Sequence, residues 1–342
     1  MIGPKPTRRK LALPRSNFSD ETQAKAEREA ARAEAPRLTP EAVDTADGPR
    51  TDLDWVPMSM VPLFATAAFE DLSDDQRRRY NHYYALQLSE EFLWLEHHAI
   101  VPPLEALLQR GDLPPPVRTL IETFVRDERS HSAAIERLLE RARPDLYARR
   151  HDVLFRPPWR VRYLTAAMAR MPTFLGEWSL FVGTLEEQTI TIARLYRDAG
   201  DDVDPLFSHV HALHAQDEAR HCQYDALIAD GLVSNEDTLA TGVGGAFLAA
   251  LFRAYYDVEW GFAGPIRRLV IDFPELQPRS RELLAVAAQA RHATYGERLL
   301  DPATAPVTVR NAERFPVLGR AIRRLSRPLK YRNLFDGFGR RR

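Results

Sequence analysis

The sequence predicts an all-α protein built on a four-helix bundle with additional packed helices. Three observations predict it. Between about residues 60 and 300, apolar residues recur at helical spacing and no segment alternates with the period of a strand. Long helical stretches are joined in pairs by short turns, as antiparallel bundle neighbours are. The frame D-E-x-x-H occurs twice, as DERSH at 127–131 and DEARH at 217–221, each time inside a helical stretch.

The elements follow in order. Residues 1–50 are rich in Pro, Lys, Arg, Ala and Glu with almost no large apolar side chains, which predicts a disordered or loosely helical extension. The first bundle helix opens at the cap-like Ser73-Asp74-Asp75 and runs to Pro102-Pro103. Gly111-Asp112-Leu113 and three prolines make a turn, and a second helix runs from Val117 to about Arg143, before Pro144. A third spans about Val161 to Asp198, bent near Met171-Pro172, and ends at Ala199-Gly200-Asp201-Asp202. The fourth starts at Asp204-Pro205, a cap with proline in the first turn, and ends at Gly231. The stretches 236–272 and 278–300 read as further helices, so the main domain covers about 55–305. Residues 306–342 form a basic C-terminal segment, with nine Lys or Arg from Arg320 onward against the single acid Asp336.

Composition narrows the function. Of 342 residues, 44% are apolar, enough for a sizeable core. A net charge of −1 argues against nucleic acid as partner. The single cysteine, Cys222, excludes an internal disulfide and fits a reducing, cytoplasmic location. The charge-free stretch Thr238 to Phe252 is too short to span a bilayer, and no basic-then-apolar signal opens the chain. A homodimer is left open.

The doubled frame carries the chemistry. Glu and His at i and i+3 leave one helix face a turn apart, so both can reach one metal ion. Each frame also has a glutamate upstream on the preceding helix: Glu96 lies 32 positions before Glu128, and Glu187 lies 31 before Glu218. The turn near residue 113 makes Glu96 level with Glu128, whereas Glu90 and Glu91 lie one to two turns too far away. Glu186 and Glu187 are neighbours about 100° apart, and the near-matched spacing favours Glu187. Four carboxylates and two histidines form the ligand set of di-iron and di-manganese proteins with a ferritin-like bundle. Hard oxygen donors with imidazole suit iron or manganese, and the absence of cysteine ligands argues against structural zinc. His214 lies seven positions before His221, and seven residues rotate about 700°, some 20° short of two turns, so it shares their face as a seventh ligand. His211 is roughly 15 Å along the axis from His221 and too remote. Asp127 and Asp217, each just before a ligand glutamate, are placed to accept the distal N–H of a metal-bound histidine.

These residues resemble the p-aminobenzoate N-oxygenase (AurF-type) di-iron oxygenases. The shared pattern is Glu, D-E-x-x-H, Glu, then H-x-x-x-E-x-x-H, here Glu96, Glu128, His131, Glu187, His214, Glu218 and His221. Pro102 six residues after Glu96, Gln76-Arg77 twenty before it, and Gly183 four before Glu187 add to the likeness, which covers roughly 60–232. The resemblance implies two iron ions, O2 as co-substrate, and oxidation of a small amine, free or carrier-tethered, through hydroxylamine and on toward nitro. It also implies an external electron donor, a reductase, because the chain shows no flavin, nicotinamide or iron–sulfur fingerprint. At the position of Glu91 the p-aminobenzoate enzyme uses an arginine to hold its substrate's carboxylate, so Glu91 is expected to favour a neutral or cationic substrate. Competing readings are a carbon hydroxylase or desaturase on the same centre, and a ferroxidase.

Overall fold

The computed structural model describes residues 16–325, apart from 34, 65, 158, 169–171, 234–237, 257–262 and 296–299. Among these residues there is no strand, only an isolated bridge between Asp54 and Val203. The bundle consists of α4 (Asp74–Trp94), α6 (Pro115–Ala142), α9 (Leu175–Ala199) and α10 (Pro205–Leu232). Around it pack α1 (Asp20–Arg32), α2 (Pro40–Thr45), the single turn α3 (Ala67–Glu70), α5 (Val101–Leu108), α7 (Pro144–Tyr147), α8 (Trp159–Met168), α11 (Thr238–Tyr256), α12 (Ala263–Asp272), α13 (Ser280–Tyr295), α14 (Pro306–Arg314) and α15 (Pro316–Leu325). No described helix is long and apolar enough to cross a membrane.

Local chemistry sets the helix ends. Ser73 and Gln76 form a reciprocal capping box at α4. Asp204 accepts from the Leu206 and Phe207 amides at the start of α10. Gly200, with φ of 56°, ends α9 in a conformation that a Cβ would disfavour. Gly183 has a different job: a Cβ there would lie 3.1 Å from Asp225 Cβ, so glycine lets α9 and α10 close together.

The first bundle helix does not stop at its prolines. A π-helical turn, Leu95–Ile100, joins α4 to α5, with Pro102 and Pro103 in the first turn of α5 where a missing N–H costs little. Pro103 has no N–H to offer Ala99 O, and Trp178 Nε1 donates to that oxygen at 2.9 Å. Glu96 lies within this π-turn.

Of the disordered or loosely helical extension expected over residues 1–50, the described part forms two short helices that pack on the bundle. Ser19 and Thr39 cap α1 and α2, and Phe18, Ala26, Leu38 and Val43 are buried against α6 and α10. A few apolar residues at the right spacing dock a segment whose average composition is polar. Residues 1–15 lie outside the described residues. The basic segment at 306–342 is likewise not separate at its start. Phe315, Val317, Leu318, Ala321 and Ile322 are buried, and α15 packs on α11 and α9. Residues 326–342 lie outside the described residues. The stretches read as single helices over 161–198 and 236–272 are each two helices, α8 with α9 and α11 with α12.

The core falls into two apolar halves. One holds Leu104, Phe124, Trp178, Ile228 and Phe252, and the other Tyr80, Leu138, Tyr196 and Phe207. Along α6 and α10 the halves are separated by Asp127–Ser132 and His211–His221, a buried polar band across the bundle.

Candidate metal centre

That band is where the four long helices converge. Glu128, His131, Glu218 and His221 present ligand atoms within 4.8 Å of one another, and so do Glu96, His131 and His214. Glu218 is shared geometrically. Its Oε1 lies 2.5 Å from His214 Nε2 and 3.3 Å from His131 Nδ1, while its Oε2 lies 2.8 Å from His221 Nδ1. Glu128 Oε1 is 2.9 Å from His221 Nδ1, and Glu96 Oε1 is 3.4 Å from His214 Nε2. Ser132 Oγ donates to the other oxygen of Glu96 at 2.8 Å.

The two aspartates are crossed between helices. His131 of α6 faces Asp217 Oδ2 of α10 through Nε2 at 3.1 Å, and His221 of α10 has Nε2 3.5 Å from Asp127 Oδ2 of α6. Asp217 thus keeps a proton on His131 Nε2 and leaves its Nδ1 turned toward the carboxylates, while Asp127 stands in the matching place beside His221. Arg220, which the sequence reading passed over, joins the pairs: one guanidinium nitrogen lies 3.2 Å from Asp127 Oδ2 and 2.9 Å from Asp217 Oδ1.

Several buried acceptors in the band have no hydrogen-bond donor: both oxygens of Glu128, Oε1 of Glu96 and Oε1 of Glu186, together with His131 Nδ1 and His214 Nε2. Leaving so many carboxylate oxygens unsatisfied in a dry interior is costly. A cation at their centre would satisfy them, and oxygen-rich donors with imidazole fit iron or manganese. The electrostatics agree. Burial, with the Glu218 charge adding to it, raises Glu128 to about 7 and drives Glu186 well up. Burial alone would lower the imidazoles, but the surrounding carboxylates win, lifting His131 to about 9, His214 to about 10 and His221 well above its ordinary value. Burial also opposes an anionic Glu218, yet His221 and His214 hold it well below the carboxylate range. Protons stand where metal charge would, and metal binding would release them.

Neither Glu187, expected as a ligand, nor its neighbour Glu186 falls within the two ligand groups found among the described residues. The Glu187 carboxylate accepts from the Val307 and Thr308 amides at 2.5 and 2.6 Å and caps the first turn of α14. Its neighbour Glu186 faces Glu218 and lines the cavity beside the cluster. Glu186 stands 32 positions before Glu218 and Glu187 stands 31, against 32 for Glu96 to Glu128, so spacing alone does not separate the two neighbours. His211 lies outside the two ligand groups, stacked on Tyr196 with ring centroids 4.3 Å apart, and burial pushes its pKa down to about 3.

A partly open cavity of about 40 Å³ reaches the cluster. Glu96, Glu186, His214 and Glu218 form its polar floor, and Leu88, Phe92, Leu95, Ile100, Leu185 and Ile192 its apolar sides. Glu91 is buried in the same wall rather than turned outward, and Tyr255 Oη donates to its Oε1 at 3.1 Å.

Among curated proteins, none matches the chain. A family model described as p-aminobenzoate N-oxygenase AurF matches residues 30–260. This span exceeds the 60–232 over which the likeness was legible, and it includes every residue of the cluster as well as Arg37 and Leu38. Covering about two-thirds of the 342 residues, it shows that the chain belongs to the p-aminobenzoate N-oxygenase AurF family, whose fold is a di-iron helical bundle.

Proposed function

We propose that this protein is a non-haem di-iron oxygenase that uses O2 to N-oxygenate a small amine, free or carrier-tethered, to a hydroxylamine, nitroso or nitro product in a biosynthetic reaction. The observation that carries the reading is the position of Glu218, one carboxylate between two ligand sets with a cavity against it. Glu96 and His214 would hold one iron, Glu128 and His221 the other with Glu186 beside them, Glu218 would face both, and His131 lies within reach of both groups. Iron held there supplies activation of O2 for oxygen transfer to nitrogen. The chain's own part is positional. Asp217 fixes the His131 imidazole, Asp127 stands beside His221, and the apolar cavity sides hold the body of the substrate and exclude water. Electrons come from an external donor, a reductase partner, since the one cysteine cannot hold an iron–sulfur cluster.

The test uses the full iron-loaded chain, reduced anaerobically, then given O2 and a panel of arylamines. Elemental analysis should give about two irons per chain. Mass spectrometry should show about 16 mass units added, or a net gain of about 30, on nitrogen. Oxygen on carbon would mark a hydroxylase, iron oxidation without an organic product a ferroxidase, and one zinc in place of iron would sink the centre itself.

Glu91 bears on the substrate. No Lys or Arg occurs among the described residues lining the cavity, whereas the buried Glu91 does. A carboxylate at the far end of the substrate would meet a like charge there, at a cost of several kcal/mol. We therefore expect p-aminobenzoate to be a poor substrate, and Glu91→Arg to raise kcat/KM for it by about tenfold or more. Efficient wild-type conversion of p-aminobenzoate to p-nitrobenzoate would remove this role for Glu91.

A further inference from the structure

The two D-E-x-x-H frames are nearly symmetric in sequence, but their aspartates are held in different ways. Asp127 is held by side chains. Oδ1 accepts from Arg126 Nε and Nη2 at 3.0 and 2.8 Å, and Oδ2 faces Arg220. The Arg126 side chain is half exposed, so its grip is that of a flexible surface guanidinium. Asp217 shares Arg220, 2.9 Å from its Oδ1, but its other oxygen is held by main chain. The successive N–H groups of Arg37 and Leu38 converge on its Oδ2, at 2.7 and 3.0 Å, the same oxygen that faces His131 Nε2.

Those amides belong to the segment between α1 and α2, which crosses the bundle at the level of the polar band. Leu38 is completely buried, and its own carbonyl accepts from Ser130 Oγ at 2.9 Å, next to His131 in the chain. Farther along, Thr39 caps α2, Arg137 Nε donates to Asp44 at 2.7 Å, and Arg141 donates to the carbonyls of Val43 and Ala46. Backbone amides tied down on both sides cannot swing away as a guanidinium can. Two of them on one oxygen make a rigid anion cradle.

We propose that Arg37 and Leu38 form a strap that positions one histidine of the centre: through Asp217 it holds His131, which belongs to both ligand groups but has one nitrogen left for a metal, so binding of the one ion that His131 ligates depends on the N-terminal segment. This rests on the metal-centre reading above. Outer partners of metal-bound histidines are typically worth about 10–100-fold in metal affinity, so loss of one strap amide should be visible as a selective weakening.

The experiment is an anaerobic titration of the full metal-free chain with Fe(II), followed by calorimetry, with circular dichroism and melting measured alongside. Arg37→Pro removes one strap N–H at an exposed side chain, and Ser130→Ala loosens the strap from α6 without touching either amide. Both should keep the helical spectrum. Arg37→Pro should weaken one of two Fe(II) binding steps by about tenfold or more, Ser130→Ala by less, and the other step should be unchanged. Ser130→Ala carries the test if Arg37→Pro does not fold. Equal weakening of both steps, or a lowered melting temperature with unchanged Fe(II) affinity, would overturn the proposal, because it would mark a strap that is merely structural. A wild-type chain binding fewer than two Fe(II) would overturn the metal-centre reading, and this inference with it.

Discussion

Glu218→Gln is expected to release metal from both positions at once. Its two oxygens reach His214 and His131 on one side and His221 on the other, so this one substitution takes a charged donor from both sides together. Gln keeps the volume and one oxygen but loses the charge that offsets bound cations. Iron should fall from about two per chain to below one, with affinity lost by more than the roughly 100-fold that an outer partner is worth, and turnover should fall in proportion. The metal-free variant should also melt lower. Three buried histidines lose their anion, and breaking a buried charge arrangement costs about 3–5 kcal/mol. Elemental analysis and paired melting curves with and without iron check this. Two irons and wild-type turnover in Glu218→Gln would remove the central carboxylate from the proposal.

The second large effect separates two adjacent glutamates. Glu186→Ala should lose the metal position formed with Glu128 and His221 while leaving the metal-free chain no less stable. Its oxygen Oε1 has no hydrogen-bond partner, and its pKa is raised by burial and by Glu218. Glu187→Ala should do the reverse. Two amides at the start of α14 lose their acceptor, which costs about 1–3 kcal/mol, while iron content stays at the wild-type value. The same two measurements, iron per chain and metal-free melting temperature, read both variants. If Glu187→Ala loses iron and Glu186→Ala does not, the ligand set returns to the one the near-matched spacing suggested.

Why spacing did not separate these two glutamates has a physical reason. The bundle helices, their caps and the gathering of Glu128, His131, His214, Glu218 and His221 are consequences of local geometry. Helical repeat puts i, i+3 and i+7 on one face whatever surrounds the helix. Glu186 and Glu187 differ by one residue, and what turns one inward is the packing of α9 on α10, with Gly183 against Asp225, and the docking of α14 over Glu187. Counting along the chain does not contain the position of α14. Residues 16–50 show the same limit. Their composition is that of a solvated tail, yet Phe18, Leu38 and Val43 find complementary sites on α6 and α10. Docking depends on where a few side chains land, not on their average polarity.

The sequence by itself determined an all-helical bundle, the helices that bring each histidine and its paired glutamate to one face, and the family to which the chain belongs, because all three are written in spacings within single helices. Only the tertiary structure decided which glutamate of α9 looks inward, that each aspartate stands beside the histidine of the opposite helix, that Arg220 ties the two pairs together, and that the main chain at Arg37 and Leu38 closes over Asp217. Those are contacts between segments tens to almost two hundred positions apart. Their partners are chosen by how the helices pack, which no one-dimensional period records.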